Sequence, residues 1–323
     1  KFYFHSKMTK GQKTDEILPD IINEIVNSFV WPKSQRWANT DLKWARPLRN
    51  ILLLLNDDIV KGKVKIGKDL FLNFTNFTFS HRHIDKKIII NKIDNYEKLL
   101  EDNLVILDRN KRSDKIIKDI SYLLNKEKLK LVNDKSLLDE VVGLVEFPNV
   151  LIGSISAQFM KLPREVLTTA MRVHQKYFSI TDKENNLEAK FLFVANSIKN
   201  KNRDFRVIEG NERVLKARLS DACYFFENDI SNTFENWNKK LKNVLFYKSL
   251  GSLHDKTIRM ANISKIFAKE FGVKSELAQQ AAILSKSDLV SEMVMEFPEL
   301  QGIMGGHYAK IKNEHEEVTK AIF

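Results

Sequence analysis

A carboxylate on the apolar face of a helix has to be paired, protonated or bound to metal, and the spacing of the sequence gives Asp288 that position. After a potential cap at Ser275, Leu277, Ala281, Leu284 and Asp288 recur at steps that share one helical face. His254-Asp255 supplies an adjacent imidazole and carboxylate upstream. Together these residue types suggest metal-dependent phosphate hydrolysis. Ser287 stands directly before Asp288, and a hydroxyl is a poor replacement for imidazole on a transition metal. Asp288 is therefore expected as a core carboxylate satisfied by an Arg, a Lys or a backbone amide. No metal site is expected.

Two further constellations carry charge rather than nucleophiles. The run Met171-Arg172-Val173-His174-Gln175-Lys176-Tyr177-Phe178 concentrates cations, hydrogen-bonding groups and rings at a helix-to-strand junction, as RNA-contacting surfaces do. His174 has no nucleophile in a recognisable context, and Cys223 is far away in sequence, so catalysis is disfavoured. A helix is expected after Gly210-Asn211 with Asn211 as its N-cap. Its face Leu215, Leu219, Ala222 and Phe226 reads as buried. Arg213 and Lys216 lie nearly opposite and Arg218 flanks the stripe, an arrangement suited to phosphate contacts or simply to solvent. His81 and His83 are expected to share a strand face, a weak metal signal. Trp31, Trp37 and Trp44 alternate with Lys33, Arg36, Lys43, Arg46 and Arg49, and most of those rings are expected in the core. The sequence lacks the glycine-rich phosphate loops and the GxSxG elbow, so no ATP site is expected on this chain.

The 323 residues are enough for two domains, and 43% hydrophobic content is ample for packed cores. A net charge of +11 favours a polyanionic partner, nucleic acid before membrane surface. Cys223, the single cysteine, excludes an internal disulfide framework and fits a reducing compartment. No apolar run approaches the ~18 residues of a membrane helix, and no secretory signal is visible. The chain opens on Lys1 and stops inside a helical pattern, so a fragment is expected.

The elements that must hold these residues follow from periodicity. A helix is expected near the start, capped by Asp15 or Asp20, with Ile17, Ile21, Ile22 and Ile25 as its stripe. Residues 43–60 read as helix or buried strand, and residues 64–90 as strand. Residues 91–141 read as solvated amphipathic helices. Three β-like runs follow: Val141–Val145, Val150–Ile155 and Lys190–Asn196. A helix Arg164–His174 lies between the last two, then an Asn-rich hairpin loop at 182–186. From Glu212 onward the chain reads as helical, and a domain boundary is expected within 229–250.

Several of these blocks closely resemble the β subunit of bacterial heterotetrameric glycyl-tRNA synthetase. They are Leu162-Pro163-Arg164-Glu165-Val166-Leu167 with the 171–178 run, and Gly210-Asn211-Glu212-Arg213-Val214-Leu215-Lys216-Ala217-Arg218-Leu219-Ser220-Asp221-Ala222. Leu250-Gly251-Ser252-Leu253 with Asp255-Lys256-Thr257 and Arg259 is a third. Lys286, Asp288 and Leu289 followed by Glu296-Phe297-Pro298-Glu299-Leu300-Gln301-Gly302-Ile303-Met304-Gly305 form a fourth. Near the start, Pro32-Lys33-Ser34, Arg36-Trp37 and Arg46-Pro47 resemble the same family, whereas 77–83 echoes it only loosely.

The resemblance implies an α+β multidomain chain. Residues 1–230 would form a mixed α/β domain similar to the B3/B4 module of phenylalanyl-tRNA synthetase, with a flank and a helical insertion near 91–141. Residues 231–244 would connect it to the start, at 245–323, of an all-helical HD-type domain. It also implies a class II glycine–tRNA ligase of α2β2 form in the cytoplasm, with no membrane association. This chain would bind and position tRNA(Gly), while ATP and Mg2+ would act at the α subunit. Arg172, His174, Lys176, Arg213, Lys216 and Arg218 are the expected tRNA contacts, by motif membership and charge together. Asp288 falls at a degenerate HD position. The alternatives are an HD-type phosphohydrolase and hydrolysis of mischarged tRNA by the B3/B4-like part. The family's extreme N-terminal segment and anticodon-binding end are expected to lie outside this sequence.

Overall fold

The computed structural model describes residues 2–7 and 10–323. Its residues cluster into two compact units, Lys1–Arg112 and Ser113–Phe323. None of its helices is long and apolar enough to cross a membrane.

In the first unit, α1 (Thr14–Ser28) is followed by short strands β1 (Ile51–Leu52), β2 (Leu54–Leu55), β3 (Asp58–Ile59) and β4 (Lys63–Lys65). Then come β5 (Phe71–Thr75), β6 (Phe77–Phe79), β7 (Lys87–Ile89) and α2 (Tyr96–Asp102). The ambiguous 43–60 run is thus strand. Its tight turn explains why: Asn56 and Asp57 both take positive φ (52° and 69°), the geometry that lets β2 and β3 pair across two residues. β5 pairs in parallel with β1 and antiparallel with β4. Leu18, Ile22 and Val26 of α1 pack onto Leu42, Val60, Val64, Ile66 and Phe74. The expected stripe is off by about one residue, since Ile21 and Ile25 are exposed. Neither expected acid caps α1. Its N-cap is Lys13, and Asp15 sits in the first turn, where the helix dipole still favours a negative charge.

The second unit is built on an antiparallel sheet ordered β8 (Lys130–Leu131), β10 (Phe178–Thr181), β11 (Leu187–Asn196) and β9 (Pro148–Ser154). Strand alternation divides its side chains. Val150, Phe178, Ile180 and Leu192 face α3 (Arg109–Glu127) and α4 (Lys135–Leu144), meeting Ile116, Ile120, Leu124, Leu137 and Val141. Leu151, Phe191 and Phe193 face the other way and meet α5 (Arg164–Thr169) and α6 (Lys201–Ser231) through Val166, Leu167, Leu215, Leu219 and Ala222. The run Val141–Val145, expected as strand, is mostly the end of α4. Asp134 starts that helix by accepting from the Leu137 N–H (2.9 Å), and its valines fill the sheet-facing side. The hairpin loop at 182–186 is present, with Asp182 accepting from the Asn186 N–H (2.8 Å).

α6 differs from expectation at its start. Asn200, not Asn211, is the N-cap, accepting from the Arg203 N–H (3.0 Å), and the helix runs 31 residues straight through Gly210. Asn211 is satisfied inside the helix: its amide donates to the Val207 carbonyl (2.7 Å) and its oxygen accepts from the Tyr177 hydroxyl (2.6 Å). Packing by Leu215 and Leu219 carries the helix past the glycine. Gly210 is exposed, and a methyl group there would meet nothing within 4 Å.

Residues 231–244 contain α7 (Phe234–Lys240), whose Phe234 and Trp237 are buried in the same core as the sheet's second face. That core continues into α9 (Ser275–Leu284), which packs against α8 (Leu253–Glu270), the helix that follows the small ladder of β12 (Leu245–Tyr247) and β13 (Gly251–Ser252). The last helices are α10 (Glu292–Glu296), α11 (Ile303–Ile311) and α12 (Glu316–Ile322), which bury Met293, Met304, Tyr308, Val318 and Ile322.

Asp229, at the end of α6, ties these helices down. It is 2% exposed, and its carboxylate accepts from the Glu292 and Met293 N–H groups (2.9 and 3.0 Å) and the Tyr308 hydroxyl (2.7 Å). Burial, with the Asp229 charge beside it, raises the Tyr308 pKa so that the hydroxyl stays protonated and donating. Asp229→Ala leaves three buried donors unanswered and is expected to cost about 3 kcal/mol or more of unfolding free energy in urea titration. Gly210→Ala is expected to add up to about 1 kcal/mol in the same assay, because the helical backbone there needs no glycine.

Candidate nucleic-acid interface

The expected basic residues are positioned by α6 and by the turn that precedes β10. α5 does not continue as an α-helix to His174; residues 170–175 form a wider π-type turn ended by Lys176 in the left-handed conformation (φ 59°). Met171 and Tyr177 anchor this turn in the core, Tyr177 stacking on Phe191 with ring centroids 4.6 Å apart. Burial pushes the Tyr177 hydroxyl up to about 12, so it remains a donor to Asn211.

Most charges of that turn are engaged internally. Arg172 Nε donates to Asp134 (2.5 Å) and its Nη2 to Ser136 Oγ (2.7 Å). Burial alone would raise the Asp134 carboxyl; the bonds from Arg172, the Leu137 N–H and Ser136 outweigh it and hold the group below its ordinary value. Lys176 Nζ sits 2.9 Å from Glu140 of α4. His174 turns its ring edge-on to Phe297 (5.3 Å), with Nε2 buried and without a hydrogen-bond partner.

α6 keeps its basic face outward, as its spacing implied. Leu215, Leu219 and Ala222 are buried and Phe226 is partly so, while Arg213 and Lys216 are exposed. Arg213 makes only a loose surface pair with Glu209 (3.4 Å), worth little in water. Lys216 has no ion pair among the described residues. Both line a cleft of about 350 Å³ between α6 and the end of β9, where Glu212 accepts from the Ser154 N–H (2.7 Å). Arg218 reaches Glu296 of α10 instead (3.0 Å). The structure therefore sets the expected contacts against different elements: Arg172 and Lys176 on α4, His174 and Arg218 on the 296–297 region, Arg213 and Lys216 on the open cleft.

Asp288 is fully buried, but not on the helix expected. α9 ends at Leu284, and Asp288 lies in the short turn Ser287–Val290 that follows. Its Oδ2 accepts from the Gly302 and Gly305 N–H groups (2.6 and 3.0 Å) at the start of α11, while Oδ1 has no partner. Ser287 donates to Asn238 (2.7 Å). His254-Asp255 is a helix cap: Ser252 and Asp255 exchange hydrogen bonds at the start of α8 (2.8 and 3.2 Å). Gly251 makes this possible, since it takes φ 81° and a Cβ there would lie 2.4 Å from Asp255 Oδ2. Among the described residues, no three His, Cys, Asp or Glu side chains are grouped to hold a metal. His81 and His83 lie in a turn after β6, not on a strand, with His81 buried and donating its N–H to the Asn103 carbonyl (3.1 Å).

Sequence reasoning missed the pair His307–Glu165 (3.0 Å), which joins α11 to α5, and it missed Asp229. Glu165 sits in one block of the recognised family and His307 just past the end of another, 142 positions away, so no local pattern linked the two.

Burial raises the Asp288 carboxyl against the pull of the Gly302 and Gly305 N–H groups. The native state thus holds this proton more tightly than the unfolded chain, whose value is about 3.9. Its contribution is unfavourable at neutral pH, is relieved as pH falls through the native value, and is fully relieved below the unfolded one. The stability of the wild type relative to Asp288→Asn should therefore rise on acidification from pH 7, measured by urea unfolding at each pH.

The family model for the glycyl-tRNA synthetase β subunit matches residues 1–323. The glycine–tRNA ligase β subunit of Rickettsia bellii (strain OSU 85-389) is 45% identical over 322 residues, which is 99% of this chain and 47% of that protein. The corresponding subunits of Rickettsia prowazekii (strain Madrid E) and Rickettsia felis are 45% and 44% identical, again over 99% of this chain and 47% of each relative. The chain spans about half the length of the curated relatives it matches. With the match running from end to end of this mixed α/β chain, it belongs to the glycyl-tRNA synthetase β-subunit family.

Proposed function

We propose that this chain binds and positions tRNA(Gly) for glycylation, as part of the β subunit of an α2β2 glycine–tRNA ligase acting in the cytoplasm. The class II adenylation site, with its ATP and Mg2+, lies on the α subunit in this reading, and no cofactor is held here. The strand-bearing part would correspond to a B3/B4-like module and residues 245–323 to the beginning of an HD-type helical domain. The observation that carries the reading is the outward basic face of α6, where Arg213 and Lys216 stay exposed inside a block that the sequence shares with this family. Cations on a rigid helix can neutralise backbone phosphates and release counterions, which makes binding steeply salt-dependent.

In the full-length protein, the double variant Arg213→Glu/Lys216→Glu is expected to bind tRNA at least about tenfold more weakly. Its plot of log affinity against log salt should flatten by about two phosphate contacts. Unchanged affinity in a folded double variant would remove α6 as the contact. Glycylation assays with and without an α partner test the division of labour, with activity expected only when both are present.

A further inference from the structure

The first unit contains a cleft that the reading above does not use. It has a volume of about 660 Å³ and is bordered by Asn27, Phe29, Trp31, Ser34, Lys43 and Lys65. Its aromatic side is a three-ring cluster. Phe29 lies 5.4 Å from Trp31 and 5.2 Å edge-on from Trp44, and the two indoles are 5.0 Å apart. Phe29 is 50% exposed, so part of its ring is uncovered. The isolated ladder pairing Gln35 with Trp44 holds the two sides of the loop that carries these rings together.

The charges around this cleft differ from those near β10. Lys33, Arg36, Lys43, Arg46 and Lys65 are all exposed, and none is in an ion pair among the described residues. Asp41 is the one carboxylate of the lining. By contrast Arg172, Lys176 and Arg218 are held by Asp134, Glu140 and Glu296. A phosphate approaching those three must first displace a carboxylate; at the 31–46 loop it need not. Free cations beside an uncovered ring are the combination that binds single-stranded RNA, because a base offers its face only when it is unstacked. The volume also falls in the range of about 300–1,000 Å³ typical of small-ligand clefts, enough for one nucleotide.

We infer that the cleft between Phe29, Trp31, Lys43 and Lys65 is a subsite for an unstacked nucleotide of single-stranded RNA. The base stacks on the Phe29 ring, Asn27 and Asp41 accept from its amino groups, and Lys43 and Lys65 meet the flanking phosphates. This inference rests on the RNA-binding reading above but assigns a different unit to single-stranded contacts.

Tryptophan emission tests it directly in the full-length protein. Within this chain Trp237 is buried in the second unit, so a response that tracks the cleft variants comes from Trp31, Trp37 or Trp44. The probe is a short oligoribonucleotide, used single-stranded and as a blunt duplex. The single strand should change the emission and bind about tenfold or more tightly than the duplex. Phe29→Ala should weaken single-strand binding about tenfold, and Lys43→Glu/Lys65→Glu should weaken it and flatten its salt dependence. Equal binding of strand and duplex, no effect of either variant in a folded protein, or a response to the α subunit but not to RNA would overturn the subsite. Intact tRNA separates this result from the reading above. Binding lost in the α6 variant and unchanged in Phe29→Ala overturns the subsite alone, whereas failure of tRNA to bind at all overturns the broader reading.

Discussion

Two buried carboxylates, answered by hydrogen bonds rather than by ion pairs among the described residues, hold the C-terminal helices together. Asp229 and Asp288 are 2% and 0% exposed, and each is answered mainly by backbone N–H groups at the start of a helix. Burying such a charge is costly unless polar groups replace its water. Helix N-termini are suited to that, because their first N–H groups lack partners and carry a partial positive charge. Asp229 fixes α10 and, through Tyr308, α11 to the end of α6; Asp288 fixes the start of α11 to the turn after α9. Removing either leaves stranded donors in the core. These contacts give the helical region its geometry as much as its apolar packing does.

α6 is the common support. One side of it closes the second face of the sheet through Leu215, Leu219 and Ala222. Its end carries Asp229, and Lys312 donates to the carbonyls of Ile230 and Asn232 just beyond. Its opposite side is left to solvent, and Arg213 and Lys216 are presented there from a backbone that cannot easily shift. The basic turn before β10 behaves differently. Its cations are folded back onto α4, and the same residues that looked like a nucleic-acid surface position the helix against the sheet. Charge in a sequence says where cations are, not what they are spent on.

That distinction marks how far the sequence was legible. The inward face of α6, the hairpin at 182–186 and strands β9 and β11 follow from periodicity and turn chemistry, and they were expected. Helix starts were harder. Asn211 has the chemistry of a cap, but packing on both sides of Gly210 carries the helix through, and the cap function passes to Asn200. Val141–Val145 is β-branched, but its valines fill the space beneath the sheet from within α4. The engagement of Arg172 by Asp134 and of Arg218 by Glu296 spans 38 and 78 positions, beyond any local pattern. Asp288 was foreseen as a buried carboxylate with a backbone amide among its possible partners; the helix assigned to it was too long.

The partners of Asp229 and Asp288 are mostly main-chain atoms, and this has a consequence for divergence. Every residue except proline offers the same N–H, so Glu292 and Met293 can drift without weakening the tie to Asp229. The acidic member of each arrangement has no such latitude. Over long separations the correlated changes of Asp229 should therefore fall on Tyr308, which answers it with a side chain, rather than on Glu292 and Met293; Asp288 differs, because its amide donor Gly305 also sets the shape of its niche.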